Sequence, residues 1–540
     1  MTLPSAPRAT VCIPLPCAGV LKGCPAEVAR ACTSAPGSFW LDSAGTARGE
    51  TAWSFLGVQA SHALTYRNGE AQRETAAGRE PLGRASFLES LQRELTAQAS
   101  QRAVPGRPGA PPFRGGWFAL LAYDLGREIE RMPVRAADDL AFPEMYLAFH
   151  ETVLAFDHRE GRWWASCTVP TAVRSRDRER HARRRVEELL GRLPDGAGRQ
   201  ECLPHRPETV VAQSSGLREP GAREKRQRHS PYPPLYEGGE NNSGTLADAP
   251  GDRAVRSNFT RTSYEAAVAR ALEYIAAGDI YQVNLSQRFE AAWKAPAREL
   301  YAALRTESPA RYGVFAHLGN GRAVCSISPE LFLSVRGREV TTRPIKGTRP
   351  RGRTPEEDER LSRELLASAK DRAELTMIVD LERNDLGRVC EYGSVRVISA
   401  GALETHPTVF HRVATVAGIL KAGARADGLL RATFPGGSVT GAPKIRAMEI
   451  VEELEPTRRG PYCGALGWIG ADGDLELNLA IRTALVDEGA RKAWYQAGGG
   501  IVADSDPAGE YDETLAKAAA FFSAVAEDPA RGNNSRGLHG

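Results

Sequence analysis

Residues 262–289, TSYEAAVARALEYIAAGDIYQVNLSQRF, contain a helix pattern followed by a strand pattern. Thr262, with Glu265 three residues later, predicts a capping box at the helix start, and Gly278 marks the helix end. Apolar side chains recur between them at the spacing of one helix face: Ala267, Val268, Ala271, Leu272 and Ile275. Over residues 281–289 the apolar positions instead follow a period of two, which predicts a β-strand.

Helix and strand patterns alternate without a regular rhythm on both sides of this stretch. Towards the N-terminus, the alternating runs MYLAFHETVLAFDH (145–158) and RWWASCTV (162–169) predict strands. Further helices are predicted at Arg174–Leu190, at Glu356–Leu386, from about Pro443 with that proline in the first turn, and at Gly509–Ala526. A regular strand–helix–strand order would indicate a Rossmann-type fold, whereas this mixture predicts an α+β architecture with largely antiparallel sheets.

The composition is that of an ordinary globular enzyme and excludes several classes of protein. Hydrophobic residues make up 42% and charged residues 25% of the 540-residue chain, and the formal net charge is +3. So small a charge gives no case for binding nucleic acid or a membrane surface. No apolar run reaches the roughly 18 residues that span a bilayer, and no clean signal pattern is present, so we expect a cytoplasmic protein.

The nine cysteines predict free thiols. Those near the start of the chain have spacings that fit no zinc pattern: Cys12, Cys17, Cys24 and Cys32. A chain of this length needs no disulfides, so unpaired thiols in a reducing compartment are expected. Three others lie within apolar or strand-like runs and are expected in the core: Cys325, Cys390 and Cys463.

A low-complexity bridge divides the chain. Residues 191–256 are rich in Pro, Gly, Ser, Arg and Glu, and such a segment buries too little apolar surface to offset its ordering entropy. We therefore predict an N-terminal region at residues 1–190, a flexible insertion at 191–256 and a motif-dense catalytic domain at 257–527. A disordered tail is predicted at residues 528–540.

The last predicted helix carries charged residues next to a run of glycines. Glu510, Glu513 and Lys517 are spaced i, i+3 and i+7, which places them on one helix face. The segment QAGGGIVADSDP, residues 496–507, precedes them, and its glycines let a backbone approach a ligand and offer amides to an anion. Charges on one helix face are more often only solvated. Next to a glycine loop, however, they suggest an anionic ligand bridged to carboxylates through a metal.

A second pair of carboxylates lies on the long predicted helix. Asp371 and Glu374 are at i and i+3 beside an apolar run, residues 375–381, that should be buried. A carboxylate at the border of a core is costly unless it is paired or bound to a metal. Oxygen ligands without a nearby His or Cys set suit Mg²⁺, and two acidic helices could clamp one such ion.

Two further segments carry candidate anion-binding or nucleophilic groups. FPGGSVTGAPK, residues 434–444, is a Gly-rich loop that runs into a helix, which favours carboxylate or phosphate, although it is not a Walker A motif. RPIKGTRPRG, residues 343–352, places Lys346 in a loop between a predicted strand and a glycine. A lysine in a loop is usually a surface charge. Desolvated among the arginines of this segment, however, its amine could act as a nucleophile.

Eight segments in a fixed order resemble the chorismate-utilising enzymes, a family that includes anthranilate, aminodeoxychorismate, isochorismate and salicylate synthases. They span about residues 259–525 and are GDIYQVNLSQRF, SPELFL, PIKGTRPRG, LTMIVDLERNDLGRVC, FPGGSVTGAPKIRAMEIVEELEP, RRGPYCGALGW, LNLAIRTALV and QAGGGIVADSDPAGEYDETLAKA. GGWFALLAYDLGRE, residues 115–128, is similar more loosely to the family's N-terminal part. The resemblance implies two large, mainly antiparallel β-sheets packed as a sandwich with helices on the outside.

The resemblance also implies roles for particular residues. Glu374 and Glu513 fall on the family's Mg²⁺-ligand positions, with Glu510 nearby on the same helix, and His411 falls on the active-site histidine. The positions implied to bind the substrate are Ser438, where anthranilate synthases usually have Thr, and Tyr462, Arg482, Gly498, Gly499 and Lys517. Because chorismate is a dianion, it needs cations, amide donors and a metal.

Lys346 decides the branch within the family. Anthranilate synthases resemble PIAGT at this site, whereas aminodeoxychorismate synthases carry PIKGT, as this chain does at residues 344–348. The resemblance implies that Lys346 attacks ring carbon 2 as the 4-hydroxyl leaves, and that ammonia then adds at carbon 4 and expels the lysine. The general acid for the departing hydroxyl is Lys517 or His411, between which the residues do not decide.

The expected product is 4-amino-4-deoxychorismate, a precursor of 4-aminobenzoate for folate or an antibiotic. No G-x-C-x-G-type nucleophile segment is found, so ammonia is expected from a separate glutamine amidotransferase subunit. An N-terminal tryptophan-like pocket is known in the family, but the matching residues are too diverged to assign. The alternatives are an anthranilate synthase, an isomerising relative, or a non-catalytic binding or scaffold subunit.

Overall fold

The computed structural model describes residues 8–14, 25–43, 53–99, 109–170, 172–193, 245–246 and 255–526. Most of the predicted insertion at 191–256 and the predicted tail at 528–540 lie outside these residues, as do Cys17 and Cys24. The described residues form the predicted α+β fold, in which two large antiparallel sheets pack together under an outer layer of helices.

The strands and helices have the following bounds. Before residue 258 the strands are β1 (Arg8–Pro14), β2 (Phe39–Asp42), β3 (Trp53–Gly57), β4 (His62–Arg67), β5 (Glu70–Thr75), β6 (Gly78–Arg84), β7 (Gly116–Leu121), β8 (Met145–His150), β9 (Thr152–Asp157), β10 (Arg162–Pro170), β11 (Thr245–Leu246) and β12 (Val255–Ser257). After it they are β13 (Gln282–Ala292), β14 (Tyr312–Gly319), β15 (Arg322–Ser328), β16 (Leu331–Arg336), β17 (Glu339–Arg343), β18 (Ile345–Pro350), β19 (Arg396–Thr405), β20 (Val409–Ile419), β21 (Gly441–Ala442), β22 (Ala465–Gly470), β23 (Leu475–Leu479), β24 (Thr483–Asp487) and β25 (Lys492–Ile501). The helices are α1 (Pro25–Cys32), α2 (Phe87–Ala97), α3 (Gly126–Ile129), α4 (Arg178–Leu190), α5 (Arg261–Ala276), α6 (Ala297–Glu307), α7 (Pro355–Ala367), α8 (Ala369–Val389), α9 (Ala426–Thr433), α10 (Lys444–Leu454) and α11 (Pro507–Ala526).

Each sheet combines strands from both ends of the chain. The first sheet has the order β1-β10-β9-β3-β2-β14-β15-β24-β25-β13-β12-β11, with β21 also paired to β13. The second has the order β18-β20-β17-β16-β23-β22-β7-β8-β4-β5-β6, with β19 also paired to β20. N-terminal strands join C-terminal strands where β2 pairs with β14 and where β7 pairs with β22.

Strand β7 shows why both faces of the second sheet are covered. All six of its residues are buried. Phe118 and Leu120 point into the core between the sheets, while Trp117, Ala119 and Leu121 belong to the core on the other face. A strand that is buried on both faces is a continuous apolar run, as GWFALL is, and not an alternating one.

The helices pack on the outer faces of the sandwich. On the second sheet, α2, α8, α9 and α10 contribute residues to one core cluster, among them Leu91 and Leu375. On the first sheet, α1, α4, α6 and α11 contribute to another, among them Leu300 and Phe521. The outer helices α8 and α11, which carry the predicted carboxylates, therefore lie over different sheets.

Helix α5 begins two residues earlier than its capping pattern predicts. Its N-cap is Thr260, whose hydroxyl accepts the Ser263 backbone N–H at 3.1 Å, so the predicted capping box of Thr262 and Glu265 is wrong. The preceding residue, Phe259, packs edge-on against Tyr264 with ring centroids 5.5 Å apart. This hydrophobic staple fixes the point at which the chain enters the helix.

The long helix predicted at Glu356–Leu386 is two helices. Ser368 ends α7 and also caps α8, accepting the Asp371 backbone N–H at 3.2 Å. The Arg412 guanidinium donates to the carbonyls of Leu366 and Ser368, each at 3.4 Å, so the break is hydrogen-bonded from β20 as well. A serine hydroxyl offers the backbone this alternative to a continuous helix.

Three smaller differences concern element boundaries. Pro443 is the N-cap of α10 and lies before its first turn. Residues 498–500, predicted as a glycine loop, lie within strand β25 and pair with β13. Lys346, predicted in a loop, lies in strand β18 and so is positioned by a sheet.

The described cysteines with placed side chains are free and buried, namely Cys32, Cys167, Cys325, Cys390 and Cys463. The expected core positions of Cys325, Cys390 and Cys463 are thereby confirmed. Among the helices described, none is both long and apolar enough to cross a bilayer.

Candidate active site

The candidate site lies where the edges of the two sheets meet, and Lys346 stands at its centre. Lys346 is on β18, a terminal strand of the second sheet. Its Nζ is 3.9 Å from Glu374 Oε2 on α8. A β-carbon built on Gly500 of β25 would lie 3.2 Å from the same nitrogen, so the amine lies against bare backbone of the first sheet. The side chain is 14% exposed, which leaves it shielded from bulk water yet reachable.

The three arginines of the Lys346 segment each form ion pairs with acids. Arg343 pairs with Glu404, and Arg351 pairs with Asp358 at 2.6 Å. The third arginine of the segment pairs with two carboxylates, Arg349 with Glu364 at 2.9 Å and with Asp371 at 3.5 Å. Each arginine is therefore neutralised by acids of its own surroundings, and the acidic groups that act on Lys346 are Glu374, Glu513 and Glu330.

The three glycines of β25 allow side chains from α11 to approach the strand. Lys517 Nζ donates a hydrogen bond to the Gly498 carbonyl at 2.8 Å. A β-carbon on Gly499 would lie 2.8 Å from Glu510 Oε2 and 3.4 Å from Glu513 Oε1. The pairing of β25 with β24 ends at Tyr495, so from Ala497 to Ile501 the strand pairs only with β13. The glycines thus provide an open backbone edge under a row of charged side chains.

The three predicted metal-binding carboxylates influence one another electrostatically. Burial raises the pKa of Glu374, and the negative charge of Glu513 raises it further against the charge of Lys346. Burial also raises the pKa of Glu510, and Glu513 adds to that shift. Burial acts in the same direction on Glu513, but Lys517, 2.6 Å away, outweighs it and lowers the pKa. Two or three carboxylates crowded in this way favour a cation between them.

The donor set fits Mg²⁺ in its chemistry. It consists of carboxylate oxygens, and Mg²⁺ is usually held by one or two protein carboxylates with water and substrate oxygens completing the shell. The described residues contain no group of three or more His, Cys, Asp and Glu side chains that could hold a metal by themselves. A metal here would therefore depend on Glu374 and Glu513 together with the substrate, and Mg²⁺ binding stays a prediction.

His411 lies on β20, next to the strand that carries Lys346. Its Nδ1 shares a hydrogen bond of 2.9 Å with the hydroxyl of Thr348. Burial, aided by the nearby charges of Arg482 and His406, lowers the pKa of His411 to about 3. The imidazole is consequently neutral near pH 7, where it can donate or accept a hydrogen bond but carries no spare proton.

Glu330 is a site residue that the sequence reasoning missed. It follows β15, is 5% exposed, and its Oε1 accepts the Ser438 hydroxyl at 2.6 Å. Burial raises the pKa of Glu330, while the Ser438 bond and the charges of Lys346 and Arg482 act in the opposite direction. The sequence signal was present in SPELFL, where a carboxylate interrupts an apolar strand pattern.

Gln282 is a second residue that the sequence reasoning missed. Its side chain is fully buried, and neither its nitrogen nor its oxygen has a hydrogen-bond partner among the described residues. A β-carbon on Gly500 would lie 3.0 Å from its Nε2, which places the amide beside Lys346. A buried amide without partners costs free energy, so a ligand that forms hydrogen bonds with this amide would recover that free energy.

Two predicted site residues remain, Arg482 and Tyr462. The charge of Arg482 acts on both His411 and Glu330, so it belongs to the assembled site. Its backbone has φ of 49°, an uncommon left-handed conformation for a side chain other than glycine. Tyr462 is instead a core residue on the second sheet beside Cys463, and its predicted contact with a substrate carboxylate stays a prediction.

Comparisons with known proteins show which proteins the chain is similar to. A model of the chorismate binding enzyme family matches residues 38–523. The chain is 41% identical over 433 residues to anthranilate synthase component 1 of Streptomyces coelicolor, covering 80% of this chain and 77% of that protein. It is 39% identical over 419 residues to aminodeoxychorismate synthase component 1 of Bacillus subtilis, covering 77% and 78%. The crystal structure of anthranilate synthase component I from Streptococcus pneumoniae TIGR4 matches with a TM-score of 0.65 at 28% identity, over 88% of this chain and 93% of that chain.

Proposed function

Because the chain belongs to the chorismate binding enzyme family, we propose that it aminates chorismate at carbon 4 and is the synthase component of an aminodeoxychorismate synthase. It is a chorismate-utilising enzyme of the anthranilate and aminodeoxychorismate synthase group. The single observation that supports the finer assignment is Lys346, an amine held 3.9 Å from Glu374 at the junction of the two sheets.

The position of Lys346 supports a covalent route. Its nitrogen bonds to ring carbon 2, the ring double bonds shift, and the carbon 4–oxygen bond breaks with loss of water. Ammonia then bonds to carbon 4, the double bonds shift back, and the carbon 2–nitrogen bond breaks to release the lysine. The balance is chorismate plus ammonia giving aminodeoxychorismate plus water, with the enolpyruvyl group retained.

The departing hydroxyl needs a proton, and in this proposal the buried carboxyl of Glu330 supplies it. Its raised pKa favours the protonated form, and it lies within the electrostatic reach of Lys346. His411 is neutral near pH 7 and is better suited to orient the substrate by a hydrogen bond. Lys517 is already committed to Glu513 and to the Gly498 carbonyl. We therefore propose Glu330 as the general acid.

The substrate is bound, in this proposal, by the groups that surround Lys346. Arg482, Lys517 and the open edge of β25 would hold the carboxylates of chorismate. Gln282 would meet the ring or the incoming ammonia with its amide, which has no hydrogen-bond partner in the described part of the chain. Glu374 and Glu513, with Glu510 nearby, would hold Mg²⁺, whose chemistry is to neutralise substrate carboxylate charge.

Ammonia comes, in this proposal, from a separate glutamine amidotransferase subunit. The relatives from Streptomyces coelicolor and Bacillus subtilis are both named component 1, which implies a second component.

The alternative is an anthranilate synthase, and one observation favours it. The curated relative with 41% identity carries that name. In that case ammonia would add directly at carbon 2, and loss of the hydroxyl and of pyruvate would give anthranilate. Lys346 would then have no covalent role.

The test is the product formed from chorismate, Mg²⁺ and ammonium by the purified chain. We expect a product whose mass retains the enolpyruvyl group and which yields 4-aminobenzoate when an aminodeoxychorismate lyase is added. Lys346→Ala should reduce this product by at least a hundredfold, because the covalent step is lost. Lys492→Ala, at the opposite end of β25 from the glycines, where the lysine pairs with Glu290, serves as the matched lysine control.

Two outcomes would contradict the proposal. The appearance of anthranilate without the lyase would assign the chain to the anthranilate branch. Full activity of Lys346→Ala would exclude the covalent route whatever the product.

A further inference from the structure

The buried carboxyl Glu382 has no part in the chemistry proposed above, yet it lies directly behind it. Glu382 is on α8 and is 3% exposed. Its Oε1 accepts the backbone N–H of Gly437 at 3.3 Å, and its Oε2 has no hydrogen-bond partner among the described residues. A buried carboxyl with one engaged and one unengaged oxygen requires an explanation.

The charged groups around Glu382 favour its neutral form. Burial raises its pKa to about 8, and the Asp385 carboxylate on its own helix, together with Glu330 after β15 when that group is ionised, reinforces the shift. Lys444 from α10 opposes it, but its ammonium also donates to Asp385 and to the carbonyls of Thr433 and Pro435, the latter two at 2.9 Å. The cation is thus shared with a competing acid, so Glu382 is mainly protonated near pH 7.

The Gly437 amide belongs to the turn that presents Ser438. Residues 437–439 form a single 3₁₀ turn, and the Ser438 hydroxyl donates to Glu330 at 2.6 Å. The turn lies tightly on α8, since a β-carbon on Gly437 would be 2.6 Å from Leu381 Cδ2 and 3.2 Å from Glu382 Oε1. The position of the Ser438 hydroxyl therefore depends on the helix beneath it.

We propose that Glu382 is a positioning residue, whose buried carboxyl holds the Gly437 turn on α8 so that the Ser438 hydroxyl reaches Glu330. The inference rests on the proposed role of Glu330 in the site. Glu382 acts through Ser438 and touches neither Lys346 nor substrate. Ionisation would place a negative charge beside Asp385, and beside Glu330 once that group is ionised, which disfavours the arrangement at alkaline pH.

The experiment compares Glu382→Gln, Glu382→Leu and Ser438→Ala in the full chain, with chorismate loss as the readout. Gln keeps an oxygen for the Gly437 N–H but does not titrate, so near pH 7 its kcat should stay within about twofold of the parent. Leu removes the acceptor, and kcat should fall roughly tenfold or more with little change in KM. The Glu382→Leu/Ser438→Ala double variant should lose little more than Ser438→Ala alone, because both act on one hydrogen bond.

The pH dependence of kcat distinguishes the proposed role from a merely structural one, which would leave this dependence unchanged. With free ammonia held constant, the parent should lose kcat above about pH 8, and Glu382→Gln should not show that loss. The matched control is Asp380→Asn, which removes an exposed carboxylate of the same helix and should retain the parental profile.

An equal loss of kcat above about pH 8 in the parent and in Glu382→Gln would overturn the proposal. Additive effects on kcat in the double variant would overturn it as well. If Glu382→Leu does not fold, the pH dependence of kcat for Glu382→Gln still tests the proposal. Because chorismate loss is measured, an anthranilate product would refute the proposed function without altering this comparison.

Discussion

Gly499 shows how strongly the site depends on having a glycine, with no side chain, at one position. Its alanine variant would carry a β-carbon 2.8 Å from Glu510 Oε2, and the carboxylate would have to move. We expect Gly499→Ala to lower the rate of chorismate loss roughly tenfold or more, since small displacements of positioning groups are costly. The free energy of unfolding should change by about 1 kcal/mol or less, because the displaced group is the end of a flexible side chain.

A neighbouring glycine supplies the control for this prediction. Gly509 lies in α11, where a β-carbon would meet Asp506 Oδ2 at an ordinary 3.4 Å. Gly509→Ala should leave activity unchanged. Parental activity in Gly499→Ala would show that the close approach of Glu510 to β25 is not needed.

At the scale of single elements, the start of α5 offers a direct choice between two threonines. Thr260 caps the helix by accepting the Ser263 amide at 3.1 Å. Thr260→Ala should therefore lower the free energy of unfolding by about 1 kcal/mol. Thr262→Ala, inside the first turn, should change it by about 0.5 kcal/mol or less. Urea unfolding of the two variants is the measurement, and an equal loss in both would contradict the assigned cap.

The break between α7 and α8 is the second element that matters. Ser368 starts α8, and the next two turns carry Asp371 and Glu374. Asp371 turns to Arg349, whereas Glu374 faces Lys346. The two carboxylates are spaced like one pair in the sequence, but they have different roles. Asp371 forms an ion pair with Arg349, and Glu374 belongs to the candidate site.

At the scale of the whole molecule, the two ends of the chain share both sheets. Pairing of β2 with β14 and of β7 with β22 places N-terminal and C-terminal strands in one core between the sheets. A protease site inserted near residue 220, outside the described residues, should give two fragments that stay together after cleavage. They should co-elute on size exclusion and unfold in one cooperative transition.

Separation of the fragments without denaturant would contradict this prediction. The uncleaved chain with the same insertion is the control. Chorismate loss should survive cleavage, since the described site residues all follow residue 281 and are held by sheets that the cut leaves intact.

Local sequence patterns were sufficient to predict which segments form helices or strands and which family the chain resembles. The alternation at residues 281–289 predicts β13, and the spacing of Glu510, Glu513 and Lys517 predicts one face of α11. These predictions are correct because the periods of helices and strands depend only on residues that are close in the sequence. The same logic failed at Thr262, where two threonines can cap and only the packing of Phe259 on Tyr264 selects one.

Residue patterns alone are sufficient to predict the α+β class, the order of the motifs and the resemblance to the chorismate-utilising enzymes. The folded structure adds that Glu330 meets Ser438, 108 residues later, and that Gln282 is buried beside Lys346 with no hydrogen-bond partner among the described residues. It also paired each arginine around Lys346 with an acid. The physical reason is that charge, burial and hydrogen-bond partners at this site come from strands distant in the chain, whose meeting depends on sheet order and not on local periodicity.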